Sequence, residues 1–263
     1  MSRAETALIT GAASGIGLAV AEELHRRGVR LALVDVDPGV EGVAKRLGAS
    51  SYLCDVRDES AVGAVGDQVE RELGPLDWLF VNAGVATVGP ICDLPLADAR
   101  WVIDVNVIGA LVTVQRFVPA MRDAGRGRVV FTGSIASLIG APGMGAYAAS
   151  KHAVAGLSES LRVELAGTGV TVTLICPGRV DTGLHGATRY HNEGFERYMD
   201  GPGGGAMTAG HVARRAIDGA AAGRSVLVLG PEKIGVWVKR LSPGLYASLA
   251  SRLGKSLGLL GQT

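Results

Sequence analysis

Short hydrophobic runs recur along the chain, and segments long enough for a helix separate each run from the next. Several runs are almost continuously apolar rather than alternating, which is typical of strands that are covered on both faces. The predicted strands are Thr6 to Thr10, Arg30 to Asp35, Ser51 to Cys54, Asp77 to Val81, Arg128 to Thr132, Val170 to Cys176 and Ser225 to Leu229. The repeated order of strand and helix predicts an α/β fold, a doubly wound parallel sheet with helices on both faces.

Two later segments are more hydrophobic than a helix on one face of a sheet requires. Asp98 to Met121 is apolar around most of a helical circumference, and Ser150 to Leu165 carries an apolar stripe at helical spacing. A helix that is apolar on all sides must be buried on several of them. These segments therefore predict a subunit interface; the alternative is a deep helix beneath the C-terminal segment.

The last third of the chain departs from this pattern twice. Residues 182–210 are rich in Gly, His, Arg and Tyr without clear periodicity, which predicts a substrate loop or lid. Residues 232–263 mix basic and apolar side chains, and no acidic residue follows Glu232. We predict that this tail is a helix pair covering the substrate cleft or a neighbouring subunit. The alternative is an amphipathic element lying on an anionic membrane surface.

Length, charge and cysteine content narrow the class of protein. The 263 residues suit one domain, 1–263, and 26 Lys and Arg against 25 Asp and Glu offer no general attraction for nucleic acid. Cys54, Cys92 and Cys176 lack metal-type spacing and are predicted to be small buried hydrophobes, with disulfides left open. We expect no metal. An apolar signal stretch and a run of about 18 apolar residues are both lacking, so the default expectation is a cytoplasmic protein.

A glycine-rich turn, Thr10-Gly11-Ala12-Ala13-Ser14-Gly15-Ile16-Gly17, directly follows the first predicted strand and opens an amphipathic segment. Glycines let the backbone approach a phosphate closely, and a helix N-terminus adds free N–H groups and a partial positive charge. The spacing differs from the common G-x-G-x-x-G pattern, but the position between strand and helix predicts a dinucleotide site. The predicted pyrophosphate-binding residues are Gly11, Ser14, Gly15, Ile16 and Gly17.

Carboxylates follow the second and third predicted strands. Asp35 can accept both hydroxyls of an adenosine ribose and would repel a 2′-phosphate. Because no Arg or Lys lies in the glycine turn or directly after Asp35, the sequence favours NAD over NADP. Asp55-Val56 could place a carboxylate against the adenine amino group, although an isolated dipeptide carries little weight.

Three side chains predict the reacting centre. Tyr147 and Lys151 are four residues apart and share one face of a helix. A phenol with its ordinary pKa of about 10 is a poor base at neutral pH, so we expect the Lys151 ammonium to lower the pKa of Tyr147. Ser134 follows an apolar strand and therefore lies at a carboxyl end, where open α/β sheets bind ligands. Together they can polarise a carbonyl oxygen and exchange a proton with it.

Taken together, these motifs resemble those of the classical short-chain dehydrogenase/reductase family. The matching motifs are Thr10-Gly11-x-x-x-Gly15-x-Gly17, Asn82-Ala83-Gly84, Asn106, Ser134, Tyr147-x-x-x-Lys151 and Pro177-Gly178. The resemblance covers roughly residues 5–182 and the strand near Val226 to Leu229; Val81 departs from it, since the family often has a second Asn there. It implies a three-layer Rossmann fold with about seven parallel strands, a nicotinamide cofactor, and a homodimer or homotetramer built from the two apolar helical segments.

The resemblance also implies a role for each site residue. Tyr147 would be the general acid/base, Ser134 would hydrogen-bond the substrate oxygen, and Lys151 would bind the nicotinamide ribose and lower the pKa of the tyrosine. Asn106 would kink its helix and hold a water that relays protons. The residues implied to support the sheet and the adenosine ribose are Asn82, Ala83 and Gly84, and those implied at the nicotinamide end are Pro177, Gly178, Val180 and Thr182.

The sequence therefore predicts an NAD(H)-dependent oxidoreductase that interconverts a secondary alcohol and a ketone on a lipophilic substrate, with oxidation favoured. One alternative is an NADPH-dependent biosynthetic ketoreductase. A second, from another class, is a catalytically silent dinucleotide-binding regulator. The complete set of Asn106, Ser134, Tyr147 and Lys151 argues against silence, because a sensor does not need a proton relay.

Overall fold

Seven parallel strands form the central sheet of the computed structural model, which describes residues 3–181, 188–191 and 206–256. In chain order the strands are β1 (Thr6–Thr10), β2 (Arg30–Asp35), β3 (Ser50–Leu53), β4 (Trp78–Val81), β5 (Ala86–Val88), β6 (Gly127–Thr132), β7 (Val170–Pro177), β8 (Val180–Asp181), β9 (Thr188–Tyr190), β10 (Met207–Thr208) and β11 (Val226–Leu229).

The order of strands across the sheet is β11-β7-β6-β4-β1-β2-β3, and every neighbouring pair is parallel. The chain therefore winds outward in one direction from β1 and in the other from β4, which confirms the doubly wound α/β prediction. All seven predicted strands are present, and their ends agree with the prediction to within one residue. The short pairs β5–β9 and β8–β10 lie outside this sheet and were not predicted.

Helices cover both faces of the sheet. They are α1 (Gly15–Arg26), α2 (Gly39–Leu47), α3 (Glu59–Leu73), α4 (Leu96–Ile103), α5 (Gly109–Asp123), α6 (Gly145–Glu164), α7 (Ala209–Ala221), α8 (Lys233–Leu241) and α9 (Pro243–Ser256). Helices α3, α5 and α6 contribute to the core on one face, and α1, α2 and α7 contribute to the core on the other. The result is the predicted arrangement of three layers.

Alternation along the strands explains their nearly continuous hydrophobic runs. Leu8 packs into the core with α3 and α5, whereas its neighbour Ile9 packs into the opposite core with α1 and α2. Leu79 and Phe80 on β4 divide in the same way, and all four side chains are fully buried. Since successive side chains point to opposite faces, a strand covered on both sides needs an apolar residue at every position.

One continuous helical stretch, Leu96–Asp123, joins α4, a π turn at Asp104–Ile108, and α5. It is 28 residues long, and an 18-residue window within it has a mean hydropathy of 1.4, which would suit a membrane span by length and composition alone. In the fold, however, Phe117 and Met121 are buried in the core, and Arg116 reaches Asp67 on α3 with a 2.7 Å ion pair. The stretch is therefore a core helix packed beside the sheet.

The structure bears on three further predictions, for the lid, the tail and the cysteines. The predicted lid, 182–210, contains β9 and β10 in its described parts, and α7 begins within it at Ala209. The tail forms α8 and α9, the predicted helix pair. Cys54 and Cys176 are buried free thiols, but Cys92 is exposed, so its predicted burial is wrong; it lies in the surface turn that precedes α4.

Candidate active site

The carboxyl ends of β1, β4 and β6 are tied together by Asn82. Its Nδ2 donates to the Thr10 carbonyl at 2.9 Å, and its Oδ1 accepts from the Thr132 hydroxyl at 3.0 Å. The Thr10 hydroxyl in turn accepts the N–H of Ala83 at 3.1 Å. These bonds fix three strand ends beside the glycine-rich turn, at the edge where the sheet reverses its winding.

The glycine-rich turn leaves no room for side chains at two positions. A Cβ on Gly17 would lie 2.0 Å from the Gly11 carbonyl oxygen, and Gly11 itself has a φ of +68°. Both positions therefore require glycine. The Ser14 side chain does not cap α1, so it does not satisfy the N–H groups of the first helical turn. This cradle of open backbone donors fits the pyrophosphate of a dinucleotide.

Asp35 closes over the same turn from the end of β2. Its Oδ2 accepts the N–H of Ala13 at 2.8 Å, and its Oδ1 accepts the N–H of Asp37 at 2.9 Å. Within the described ranges Asp35 has no ion-pair partner. Each carboxylate oxygen can accept further bonds, so the group remains a negatively charged acceptor beside the cradle.

Asp55 and Val56 follow β3, as predicted, but Asp55 already has a cationic partner. Its Oδ2 lies 2.6 Å from Arg57, whose guanidinium holds the pKa of Asp55 below its ordinary value. Val56 is buried and packs against Gly109, at the start of α5. The sequence analysis did not foresee the Arg57 pair, which occupies part of the acceptor capacity assigned to adenine.

Tyr147 and Ser134 meet beneath an apolar cover. Tyr147, in the first turn of α6, is 7% exposed and lies in a cluster with Ala86, Ala136 and Met144. The Ser134 hydroxyl accepts the N–H of Ala136 at 3.1 Å, so the serine is oriented by the short 3₁₀ turn that follows β6. It lies near enough to Tyr147 to lower the pKa of the phenol. The structure thus places the predicted acid/base and the predicted oxygen-binding hydroxyl side by side.

Lys151 lies one helical turn further along α6, on the predicted face. Its Nζ donates to the Thr132 carbonyl at 2.9 Å and lies 5.8 Å from the centre of the Tyr147 ring. Only 5% of the residue is exposed, and burial lowers the pKa of Lys151 to about 8. An ammonium carries three donors, so the bond to Thr132 uses one of them.

The expected effect of Lys151 on Tyr147 is not what the structure shows. Burial raises the pKa of Tyr147, and the nearby Ser134 hydroxyl opposes this only in part. The expectation that the ammonium lowers the pKa of the phenol is therefore corrected: loss of hydration dominates, because Tyr147 is buried in an apolar cluster. At neutral pH the phenol holds its proton.

Asn106 occupies the centre of the π turn and connects it to α6, the helix that carries Tyr147. Its Oδ1 accepts the N–H of Val85 at 2.8 Å, and its Nδ2 donates to the Val85 carbonyl at 3.0 Å and to the Ser150 hydroxyl at 2.9 Å. Ser150 donates to the carbonyl of Tyr147 at 2.7 Å. Gly84 lies against the side chains of Asn106 and Lys151. Single π turns inside α-helices often mark functional sites.

The motif predicted at the nicotinamide end lies beside the sheet edge formed by β7 and β11. Pro177 ends β7, the N–H of Gly178 donates to the Leu229 carbonyl at 2.8 Å, and Val180 begins β8. Glu232, for which the sequence predicted no role in the site, accepts the N–H of Arg179 at 3.1 Å. Thr182, the last of the residues predicted at the nicotinamide end, lies outside the described residues.

A further group that the sequence did not predict includes Arg189 on β9, which pairs with β5, the strand whose Ala86 packs with Tyr147. The Arg189 guanidinium donates to Asp98 on α4 and lies 3.9 Å from the centre of the Trp101 ring. His191 Nε2 lies 2.7 Å from the other carboxylate oxygen of Asp98. Arg189 holds the pKa of Asp98 below its ordinary value. No sequence signal could have found this cluster, because Asp98 and Arg189 are 91 positions apart.

The tail helices cover the segment that follows Ser134. Lys239 Nζ, on α8, donates to the Leu138 carbonyl at 2.8 Å, and the Tyr246 hydroxyl, on α9, donates to the Gly140 carbonyl. Gly235 packs against Ile139 between these two bonds. One side of the helix pair therefore covers the protein surface next to Ser134.

A doubly wound parallel sheet with a glycine cradle and adjoining Ser, Tyr and Lys side chains at its switch point defines an oxidoreductase of the Rossmann type. The chain belongs to the short-chain dehydrogenase family, whose model, described as "short chain dehydrogenase", matches residues 5–193.

Individual relatives agree with this assignment. The chain is 38% identical over 184 residues to "Oxidoreductase UcpA" of Salmonella typhimurium, covering 68% of this chain and 70% of that protein. It is 39% identical over 186 residues to the "1-deoxy-11-beta-hydroxypentalenate dehydrogenase" of Streptomyces avermitilis, covering 67% and 69%.

Solved structures share the fold across nearly the whole chain. A short-chain dehydrogenase/reductase from Burkholderia phymatum, in complex with NAD, superposes with a TM-score of 0.84 at 33% identity and covers 92% of this chain and 95% of its own. An alcohol dehydrogenase from Thermococcus sibiricus, complexed with 5-hydroxy-NADP, gives 0.75 at 25% identity and covers 87% and 97%. Both kinds of nicotinamide cofactor thus occur among the neighbours.

Proposed function

We propose that this protein is an NAD(H)-dependent dehydrogenase that interconverts a lipophilic secondary alcohol and its ketone, with oxidation as the working direction. The observation that carries the proposal is the placement of the Ser134 hydroxyl beside the Tyr147 phenol, with Lys151 one turn away on the same helix and its Nζ 5.8 Å from the phenol ring. Two hydroxyls that converge on one point can hold a single substrate oxygen, one as acid/base and one as a fixed hydrogen-bond partner.

Tyr147 and Ser134 have different roles at the substrate oxygen. In oxidation Tyr147 removes the proton of the substrate hydroxyl, while Ser134 orients the same oxygen. When bound, the oxidised nicotinamide supplies the hydride acceptor and a positive charge that favours the phenolate of Tyr147. Lys151 is placed by Thr132 to reach a ribose hydroxyl, and Asn106 holds the backbone next to Gly84 in the position that this arrangement needs.

The preference for NAD rests on Asp35. Its carboxylate is fixed over the glycine turn by Ala13 and lacks a cationic partner in the described ranges. Such a group accepts ribose hydroxyls and repels a 2′-phosphate. The residues proposed to hold the dinucleotide are those predicted from the sequence, with Asp55 in a reduced role because of its pairing with Arg57.

The lipophilic substrate is inferred from the cover of the site. Ala86, Ala136 and Met144 surround the phenol of Tyr147, and the tail helices roof the neighbouring segment around Ile139. An apolar wall with few polar groups favours a substrate that is apolar apart from its reacting oxygen.

A second candidate is the reductive direction, with NADPH as the hydride donor. The raised pKa of Tyr147 favours it, because a phenol that holds its proton at neutral pH is ready to donate to a ketone oxygen. Asp35 argues against the 2′-phosphate that this cofactor carries.

We also propose a cytoplasmic homodimer or homotetramer. Helices α5 and α6 each keep a partly exposed apolar side that the intramolecular core does not use, including Ile108 next to α5 and Leu157 on α6. Light scattering on the purified protein would measure the assembly.

A panel of secondary alcohols of increasing apolar size, assayed with NAD and with NADP, tests the function. We expect turnover with NAD, measured by the absorbance of the reduced nicotinamide, and a specificity constant that rises with apolar size. Tyr147→Phe should lower kcat by about a hundredfold to ten-thousandfold, the range for loss of a general acid/base.

Tyr52→Phe is the matched control, since Tyr52 also has a hydrogen-bonded hydroxyl but lies on β3 with Glu72. It should keep full activity. Turnover that survives in Tyr147→Phe, or a preference for NADP, would contradict the proposal.

A further inference from the structure

The outer side of the tail helices exposes large apolar side chains. On α8, Ile234, Trp237 and Leu241 follow one another at i, i+3 and i+7 and are 65%, 61% and 82% exposed. This spacing places all three on one side of the helix. Leu245 and Leu249 on α9 are also exposed. We call these five residues the tail face.

The tail face does not belong to the hydrophobic core of the protein. Other side chains hold the two helices to the body of the protein: Lys239, on the opposite side of α8, donates to the Leu138 carbonyl, and Tyr246 on α9 donates to the Gly140 carbonyl. The helices are therefore fixed in the orientation that turns the tail face outward. Elsewhere in the described chain, no two of the exposed large hydrophobic residues, such as Leu53 and Ile91, lie within four positions of each other.

Charge identifies the partner. Of the 26 Lys and Arg in the chain five lie after Glu232, but none of the 25 Asp and Glu does. The tail is thus strongly cationic, whereas the rest of the chain is net negative. Lys233 and Arg240 on α8 and Arg252 and Lys255 on α9 are exposed.

We propose that the tail face binds the surface of an anionic membrane. Basic side chains beside exposed leucines and a tryptophan are the composition of helices that lie in the plane of a bilayer interface. Contact between the tail faces of two copies is disfavoured, because it would oppose two cationic surfaces. Binding in this orientation would bring the helix pair, and with it the segment that follows Ser134, to the lipid surface. This membrane contact does not depend on the proposed reaction.

Flotation of the full-length protein with vesicles tests the proposal. One set of vesicles is phosphatidylcholine, and the other is phosphatidylcholine mixed with phosphatidylglycerol, each at low and high ionic strength. We expect binding to the anionic vesicles that weakens with salt. Protein that stays unbound with anionic vesicles at low salt, or that binds both compositions equally, would overturn the proposal.

Two double variants separate the apolar and the charged contributions. Trp237→Ser with Leu241→Ser should lower the partition coefficient on anionic vesicles by about a hundredfold, from the lost apolar area. Lys233→Glu with Arg240→Glu should lower it by about tenfold or more. The matched controls, Leu53→Ser for an exposed apolar residue and Lys45→Glu for an exposed cation on α2, should bind like the unchanged protein.

Light scattering distinguishes lipid from a second copy as the occupant. If Trp237→Ser with Leu241→Ser lowers the oligomeric state while the unchanged protein ignores vesicles, the tail face is a subunit interface and the proposal fails. Because this variant alters only exposed side chains, its thermal unfolding should match that of the unchanged protein. The readout is vesicle binding, so a failed alcohol assay leaves this result interpretable.

Discussion

The amide of Asn106 donates a hydrogen bond to the Ser150 hydroxyl at 2.9 Å, and the Ser150 hydroxyl donates in turn to the main-chain carbonyl of Tyr147 at 2.7 Å. The π turn and α6, the helix that carries Tyr147, are therefore connected by two side chains. Ser150 is fully buried and Asn106 is 1% exposed, so water cannot replace either bond cheaply.

Asn106→Ala should destabilise the protein by about 2 kcal/mol or more, because it leaves the N–H and carbonyl of Val85 without their partners. Urea unfolding measures this loss. Ser150→Ala removes only one link and should cost about 1 kcal/mol. If Ser150 positions Tyr147, its variant should lower kcat while KM stays unchanged; equal stability losses for the two variants would contradict the network.

Lys151→Met should change how stability depends on pH. The pKa of Lys151 is about 8 in the fold and 10.5 without it, so the unfolded chain binds more protons between these values. Stability then rises with pH across that window, by roughly 3 kcal/mol for this group, and the burial cost is fully present below it. The variant should lack the rise and should be more stable than the unchanged protein at neutral pH.

To test this prediction, the free energy of unfolding is measured across this pH window for Lys151→Met and for the unchanged protein, and the two values are subtracted at each pH. Lys45→Met, at an exposed position on α2, is the control and should give a flat difference. A flat difference for Lys151→Met as well would show that the ammonium is not desolvated in the fold.

Gly17→Ala should abolish dinucleotide binding. The added methyl would lie 2.0 Å from the Gly11 carbonyl oxygen and 2.6 Å from Asn82 Nδ2, so the cradle and the clamp across the strand ends must both shift. Thermal-shift titration with NAD should then show no stabilisation. Gly42→Ala in α2 meets no atom within 4 Å and should instead stabilise by about 0.5 to 1 kcal/mol, with an undiminished response to NAD.

Asp98→Asn should weaken substrate binding more than the chemical step. It removes the charge that holds Arg189 and His191, and the expected loss of stability is about 1 to 2 kcal/mol. Since Arg189 lowers the pKa of Asp98 in the fold, the stabilisation is present above the ordinary pKa of 3.8 and is lost as the pH falls through the lower value. A higher KM with kcat nearly unchanged is expected, and a fall in kcat alone would place Asp98 elsewhere in the mechanism.

The sequence predicted the sheet well because each strand is marked by its own residues. A strand covered on both faces needs apolar side chains throughout, and the runs around Leu8 and Phe80 show this directly. The strands β5 and β9 carry no such signal. They are three residues long, and they form only because distant segments meet in the fold.

The same contrast explains the site. Residues within one motif, such as Tyr147 and Lys151, could be related through helical periodicity, and the structure places both on one face of α6. Their electrostatics could not be predicted, since the raised pKa of Tyr147 comes from burial by residues that include Ala86 and Ala136, which belong to other segments. Likewise, Asp98 and Arg189 gave no sign of pairing before the chain was folded.

Because β1 lies between β2 and β4 in the sheet, its strand pairing is incomplete during synthesis on the ribosome. Until residue 81 has emerged, β1 has only one neighbour and presents an open row of backbone donors and acceptors along its other side. The nascent amino-terminal third should therefore need chaperones, and fragments that end before β4 should aggregate when they are expressed alone.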